Sequence, residues 1–300
     1  MRARTPGRRS GCPSCRATRR WRSRSSSRSR ERRSGRGLVT SAGALEHPAY
    51  GTVRRVTETA SVLLCDNPGM MTLEGTNTWV LRAPGSDELV IVDPGPDDVA
   101  HVDRIAALGR IALVLISHKH GDHTDGIDAL VDRTGAVVRA VGSGFLRGLG
   151  GPLTDGEVID AAGLRITVLA TPGHTADSLS FVLPDAVLTA DTVLGRGTTV
   201  IDNEDGSLRD YLESLRRLQG LGDRRVLPGH GPDLPDLAAV TATYLAHREE
   251  RLEQVRDALR RLGEDATARQ IVEDVYTDVD EKLWDHAEWS VQAQLNYLRG

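Results

Sequence analysis

Ile111-Ala-Leu-Val-Leu-Ile-Ser117-His118-Lys119-His120-Gly121-Asp122-His123 decides the fold: an apolar run of strand length passes directly into four metal-competent side chains. Side chains alternate along an extended segment. His118 and His120 therefore leave the strand end on one side and can share a metal ion, while Lys119 points to the other. Gly121 redirects the chain, and Asp122 and His123, at the start of the following helix, can face a second ion at the separation used by two-metal hydrolytic sites. With 9 histidines and 27 aspartates in 300 residues, this pattern has a chance expectation of about one in a thousand.

Three more candidates stand in similar places, each where a β-like run ends in glycine or a small residue: Thr171-Pro-Gly-His174, Thr189-Ala-Asp191 and Leu227-Pro-Gly-His230. Strand-end loops are where an α/β scaffold carries its chemistry. His47, His101, His247 and His286 lack such company and read as structural.

Outward from these motifs, residues 61–64, 78–82, 88–93, 112–117, 137–141, 165–170, 179–183 and 187–190 read as strands, with helical spacing over 99–108 and 207–219. The class is an α/β mixture. From 236 to 300 the pattern is helical throughout: Leu245, Leu252, Val255, Leu259 and Leu262 form one stripe and Leu283, Ala287, Val291, Leu295 and Leu298 another, with 268–276 between them. No internal repeat is visible.

The net charge of -4 hides an asymmetry. Residues 1–37 hold 14 arginines and one acid, whereas 38–300 hold 24 basic and 41 acidic residues, or -17. The leader, rich in Arg, Ser and Gly, has no apolar periodicity and is expected to be disordered. Three functional readings compete for it: an Arg- and Ser-rich transit peptide, which here lacks an apolar face, a nucleic-acid-binding arm, and a zinc knuckle built on Cys12 and Cys15, which supply two of the four ligands needed. The working protein is expected to begin near Val39. No apolar stretch approaches the 18 or so residues of a membrane span, and nothing resembles a secretory signal core. Three cysteines suit a reducing, cytoplasmic setting.

The ordered motifs, Asp93 in Ile-Val-Asp93-Pro-Gly, the 118–123 block, His174, Asp191 and His230, resemble those of the metallo-β-lactamase-fold hydrolases. The resemblance implies an αβ/βα sandwich of two mixed sheets flanked by helices, with the site at one edge. It implies two Zn²⁺, replaceable by Mn²⁺ or Fe²⁺: His118, His120 and His174 on the first, Asp122, His123 and His230 on the second, and Asp191 bridging both. Asp122 and Asp191 would be the catalytic carboxylates, with a metal-held hydroxide as nucleophile.

Asn67-Pro-Gly-Met-Met-Thr-Leu-Glu-Gly-Thr-Asn77-Thr-Trp79, Ala246-His-Arg-Glu and the ending Val275-Tyr276…Leu283…Ala287 resemble the β-lactamase-like protein 2 group, whose animal members are single-strand endoribonucleases and whose relatives include thioester hydrolases. That implies a catalytic domain over 38–235 and a winged-helix-like domain over 236–300. Asn77 and Thr78, and less directly Lys119, are the candidate substrate contacts; Trp79, on a strand, is expected to pack. Only 38 residues separate Asp191 from His230, too few for the inserted domain of the β-CASP nucleases. An aspartate rather than a cysteine at 191 argues against the main zinc β-lactamases.

The expected activity is a metal-dependent hydrolase acting on a single-stranded RNA phosphodiester or a small acyl ester or thioester. Charge disfavours RNA, because 38–300 is acidic and contains only Lys119 and Lys282 as lysines. Arginines 248, 251, 256, 260 and 261 interleave with acids and read as a solvated, salt-bridged face. The terminal module is then expected to be a cap or a homodimer surface. The alternative class is a non-catalytic metal-binding or interaction protein.

Overall fold

The structure, a computed structural model, describes residues 50–277 and 281–300, with the side chains at 282 and 286 outside that description. The expectations for the leader, for Cys12 and Cys15 and for His47 concern residues outside this range.

A first sheet takes its strands in chain order: β1 (Val53–Arg55), β2 (Ala60–Leu64), β3 (Asn77–Leu81), β4 (Glu88–Val92), β5 (Arg110–Leu115) and β6 (Val137–Arg139). β1 to β4 pair antiparallel, and β4, β5 and β6 pair parallel. The second sheet has the order β11-β10-β9-β8-β7, built from β7 (Val158–Ala161), β8 (Leu164–Ala170), β9 (Leu179–Val182), β10 (Ala186–Ala190) and β11 (Arg225–Pro228). β8 and β10 are both antiparallel to β9, and β11 is parallel to β10, so β8, β10 and β11 all run the same way.

The layers follow from which faces are apolar. One core lies between the sheets, where Val62, Leu81, Val90 and Leu115 meet Ile166, Val168, Phe181 and Leu188. The other face of the first sheet is covered by α1 (Val99–Ala106) and by α3 (Ile127–Thr134), which follows the single turn α2 (Gly121–Thr124), through Val102, Ile105, Ile127 and Leu130. The other face of the second is covered by α4 (Leu208–Gln219) and α5 (Leu237–Leu262). The central strands, buried on both faces, therefore read as continuous apolar runs. In α4 the Ser207 side chain caps the first turn by accepting from Asp210 N, and Leu208, Tyr211, Leu212, Leu215 and Leu218 make one buried stripe.

Beyond the sandwich, the second half of α5 packs with α6 (Ala268–Val275) and α7 (Trp284–Arg299) around Val255, Leu259, Ile271, Val272, Val291 and Leu295. The first half of α5 lies in the layer over the second sheet through Leu237 and Tyr244. One continuous helix, starting at Leu237 just after the division expected at 235/236, thus belongs to both packing layers. No helix among the described residues is long and apolar enough to cross a membrane.

Three elements escaped the sequence reading, while β11 is legible there only as the β-like run ending at Leu227-Pro-Gly. β1 and β7 show exposed, partly polar patterns over three and four residues, and α3 buries only Ile127 and Leu130. Each is too short to impose a period of its own.

Candidate metal centre

The parallel relations bring strand ends together. Asp93 follows β4, the 118–123 segment follows β5, and His174, Asp191 and His230 follow β8, β10 and β11. One sheet supplies the first two and the other sheet the last three. Backbone bonds stitch the two sets, Leu179 N donating to Ser117 O and Asn77 N to Gly229 O, both at 2.8 Å, and within the second sheet Gly229 N donates to Ala190 O at 2.8 Å. Asp93 and Ala190 hold φ of 57° and 44°, left-handed values that cost non-glycine residues energy and that recur at functional sites.

The structure brings all seven expected residues together. Their ligand atoms fall in three overlapping groups, each within 4.8 Å: His118, His120 and His174; His118, His123 and Asp191; and Asp122, His123 and His230. His120 Nδ1 is 3.0 Å from His118 Nε2 and 3.1 Å from His174 Nε2. On the other side, His123 Nε2 and His230 Nε2 are 3.3 Å apart, with Asp122 Oδ2 at 3.4 and 3.1 Å from them. Asp191 reaches both sides: Oδ2 is 3.7 Å from His174 Nε2 and 3.4 Å from His230 Nε2, and Oδ1 is 3.6 Å from His123 Nε2.

The outer nitrogens of the rings fix the tautomers. His174 Nδ1 is 2.6 Å from Val200 O and His230 Nδ1 is 3.1 Å from Gly75 O. A carbonyl only accepts, so both Nδ1 atoms carry the proton and both Nε2 lone pairs of the neutral rings point inward. His123 Nδ1 donates to Asp93 Oδ2 at 2.9 Å. Ser117 Oγ donates to the same oxygen at 2.6 Å and so accepts from His118 Nδ1 at 2.9 Å. On the second side, neutral His123 and His230 rings would aim lone pairs at each other across 3.3 Å, an arrangement that is favourable only with positive charge, a proton or a metal ion, between them.

The ionisation equilibria respond to that crowding. Burial, then the charge of His123, push His118 well below the usual histidine range. For His123 burial opposes protonation, but the carboxylates of Asp122, Asp191 and Asp93 outweigh it and raise the ring to about 8. Burial also opposes protonation of His230, and Asp191 and Asp122 overcome it to hold that ring well above the ordinary value. Asp191 is 8% exposed, yet its histidine neighbours, His230 foremost, hold it well below the carboxylate range against its burial.

The donor set fits divalent ions. Two clusters of imidazole nitrogen and carboxylate oxygen match zinc, manganese or iron chemistry, and Asp191 Oδ1 is buried without a hydrogen-bond partner. Gly229 leaves room for that oxygen: a Cβ there would overlap Asp191 Oδ1 and stand 3.0 Å from His123 Cε1.

Asn77 and Thr78 are placed otherwise than expected. Both are buried, 2% and 0% exposed. Asn77 Nδ2 donates to Pro228 O at 3.0 Å and Gly231 O at 2.8 Å, clamping the loop that carries His230. Thr78 Oγ1 donates to Asp93 O at 2.7 Å and accepts from His101 Nε2 at 2.8 Å. With no exposed face they position the loops and do not meet a substrate. Lys119 Nζ pairs with Asp205 at 3.0 Å, Asp202 at 3.1 Å and Glu204 at 3.4 Å, away from the centre. Trp79 packs as expected, 2% exposed, with Nε1 donating to Pro228 O at 2.9 Å. Spacing gave no sign of Asp202, whose Oδ2 stands 3.6 Å from His120 Nε2. Ser117 and Asp93 carried a signal, since both adjoin the motif.

Two sheets that deliver a histidine and aspartate cluster to one shared edge define a metallo-β-lactamase-type hydrolase scaffold. The chain belongs to the metallo-β-lactamase superfamily, which residues 71–230 match, and 267–299 match the β-lactamase associated winged helix domain. Among similar proteins, "Beta-lactamase-like protein 2 homolog" of Caenorhabditis elegans is 29% identical over 241 residues, 75% of this chain and 79% of that protein. "Lactamase-like protein adaB" of Aspergillus niger is 33% identical over 222 residues, 71% and 68% of the two chains. The crystal structure of a β-lactamase domain protein from Burkholderia ambifaria superposes with a TM-score of 0.72 at 22% identity, covering 85% of this chain and 90% of that one.

Proposed function

We propose that this superfamily hydrolase cleaves a small acyl ester or thioester in the cytoplasm, using two divalent ions held by His118, His120 and His174 and by Asp122, His123 and His230, with Asp191 between them. The reading is carried by the seven side chains converging from two sheets with their outer nitrogens already engaged. When bound, the ions would supply Lewis-acid polarisation of the scissile oxygen and lower the pKa of water.

The chain's own residues do the rest. Asp122 is the more exposed of the two inward carboxylates, its side chain 28% accessible against 11% for Asp191. It is therefore the group placed to accept a hydrogen bond from an attacking water and orient it. Asp93, through Ser117 and His123, and Asp202, beside His120, hold the rings so that the centre does not reorganise during reaction.

Surface charge favours an acyl substrate over RNA. On the terminal module Arg256 and Arg260 pair with Glu253, Arg261 with Asp274, and Arg269 with Glu273. Cations spent on neighbouring acids release few counterions from a phosphate backbone. Turnover of an aryl thioester and of a short single-stranded RNA, measured side by side with Zn²⁺ and with Mn²⁺, tests the proposal. Thioester cleavage abolished by chelation is the expected result, and RNA cleavage without thioester cleavage reverses it.

A further inference from the structure

The five arginines expected to share one solvated face do not. Arg256, Arg260 and Arg261 are exposed and paired with acids. Arg248 and Arg251 turn inward, and among the described residues neither has a carboxylate within ion-pair distance. Arg248 is 4% exposed. Its Nη2 donates to Thr199 O, its guanidinium lies 5.0 Å from the centroid of the Tyr211 ring, and its Nε is buried with no hydrogen-bond partner. A guanidinium cannot shed its proton, so a buried charge stands there compensated by a carbonyl and the Tyr211 side chain and by no carboxylate ion pair among the described residues. Arg251 lies 4.6 Å from the Tyr276 ring centroid, with Nη1 donating to Gln254 Oε1 at 2.9 Å.

Both arginines line one cavity of about 260 Å³, whose apolar wall is Met70, Met71, Val200, Tyr276 and Leu283. Met70 and Met71 are 62% and 44% exposed, soft apolar side chains left facing solvent. This cavity and the histidine cluster are two sides of one segment. Val200 lines the cavity while its carbonyl accepts the hydrogen bond of His174 Nδ1, and the Thr199 carbonyl accepts from Arg248 while Thr199 Oγ1 donates to Asp191 O at 2.8 Å.

We propose that this cavity is the subsite for the uncleaved part of the substrate, and that it selects an acyl compound carrying an anionic oxyacid group, carboxylate or phosphate, on an apolar body. The inference rests on the hydrolase reading and adds the class of substrate. Two guanidinium groups with no carboxylate partner among the described residues take up such an anion through charge-assisted bonds, and the methionine and tyrosine wall takes the apolar body. The volume is below the ~300–1,000 Å³ of pockets that hold a drug-sized ligand, so it takes one ring-sized fragment and not a stretch of oligonucleotide.

The experiment is calorimetric titration of the full-length protein with phenylacetate and with its uncharged isostere phenylacetamide, after chelation and again with Zn²⁺ restored. Phenylacetate is expected to bind at least about tenfold more tightly in both states, the scale of one charge-assisted hydrogen bond, and R248M and R251Q are each expected to bring the ratio toward one. Losing Arg248 also removes its bond to Thr199 and its stacking on Tyr211. R248M is therefore read beside R251Q, whose side chain is partly exposed, and beside R248K, which keeps the charge and part of the preference. Equal affinity for the two probes, or a preference that survives both R248M and R251Q, overturns the proposal. So does Arg251-dependent binding of an RNA trinucleotide with no phenylacetate binding, which would assign the cavity to a phosphodiester strand. Selective phenylacetate binding by a zinc-loaded protein that hydrolyses no aryl ester or thioester keeps the subsite and overturns the hydrolase reading. Hydrolysis without selective binding does the reverse.

Discussion

Asp202 Oδ2 stands 3.6 Å from His120 Nε2 and 3.1 Å from Lys119 Nζ, so one carboxylate faces both a ring of the cluster and the lysine beside it in sequence. Glu204 N donates to its other oxygen at 3.1 Å. Burial works against the charge of Asp202, but that backbone N–H and Lys119 keep the carboxyl below its ordinary range, so it is ionised at neutral pH. Asp202→Asn preserves the shape and removes the charge opposite His120. Metal affinity is expected to fall by roughly 10–100-fold, the usual cost of losing a group that orients a ligand, measured by competition with a chelator. Lys119→Met should shift affinity the same way by less, because Glu204 N still anchors Asp202.

Asp93 is a separate support. Its Oδ1 accepts from Ser117 N at 2.8 Å, and its Oδ2 accepts from Ser117 Oγ and His123 Nδ1. The residue sits at φ 57°, a conformation asparagine also tolerates, so Asp93→Asn tests the charge and not the backbone. Three buried donors then share a neutral acceptor, and one Asn N–H faces donors already in place. Denaturant unfolding should show a loss of about 2–4 kcal/mol, as when one partner of a buried charged network is removed. Unchanged stability would mean that the 93–123 contact contributes little.

The seven clustered residues could be read from the chain because metal-competent types coincide there with strand ends, and strand ends in parallel register must meet. Asp202 could not be read that way. It lies in an acidic loop, Asp202-Asn-Glu-Asp205, that looks solvated until the two sheets bring it to Lys119 and His120. Asn77 and Thr78 looked like substrate contacts because polar side chains beside a site suggest one, whereas burial turned both to backbone carbonyls. The arginines of α5 share a helical period whether paired or not. Only the packing of α5 against the 198–200 segment separates Arg248 from Arg256.

His101 supplies a pH-dependent contribution. Burial, with Arg104 adding to it and Asp98 opposing, lowers its pKa to about 4, and the neutral ring donates from Nε2 to Thr78 Oγ1. Unfolded, the same ring titrates near 6.5. Between those values the unfolded chain binds the extra proton, so the contribution is fully present above about pH 6.5 and is lost as pH falls toward 4. The shift corresponds to roughly 3 kcal/mol at most. Melting temperatures from pH 7.5 to 4 should fall less steeply for His101→Gln, which keeps a donor to Thr78 but does not titrate; parallel curves would rule out this contribution.

Gly229 offers a test of the centre that removes no ligand. Its φ is not left-handed, so alanine is acceptable to the backbone, and the only demand is space. That space is taken: the added Cβ would overlap Asp191 Oδ1, the carboxylate oxygen nearest His123, and crowd His123 Cε1 at 3.0 Å. Asp191 cannot retreat freely, because its carbonyl accepts from Thr199 Oγ1 at 2.8 Å and the preceding Ala190 O accepts from Gly229 N itself. The methyl group should therefore push the carboxylate off the line between the two histidine sets while leaving every ligand in the chain. Gly229→Ala is expected to fold, to retain less than the wild-type metal stoichiometry by elemental analysis, and to lose at least about tenfold in hydrolysis, since displacement of a group at a reacting centre by about 1 Å can cost about a hundredfold in rate. Gly222→Ala is the steric control, because a Cβ there meets nothing within 4 Å and only the left-handed φ of 75° is strained. Wild-type metal content and turnover in Gly229→Ala would show that the Asp191 carboxylate does not need to stand between the histidine sets.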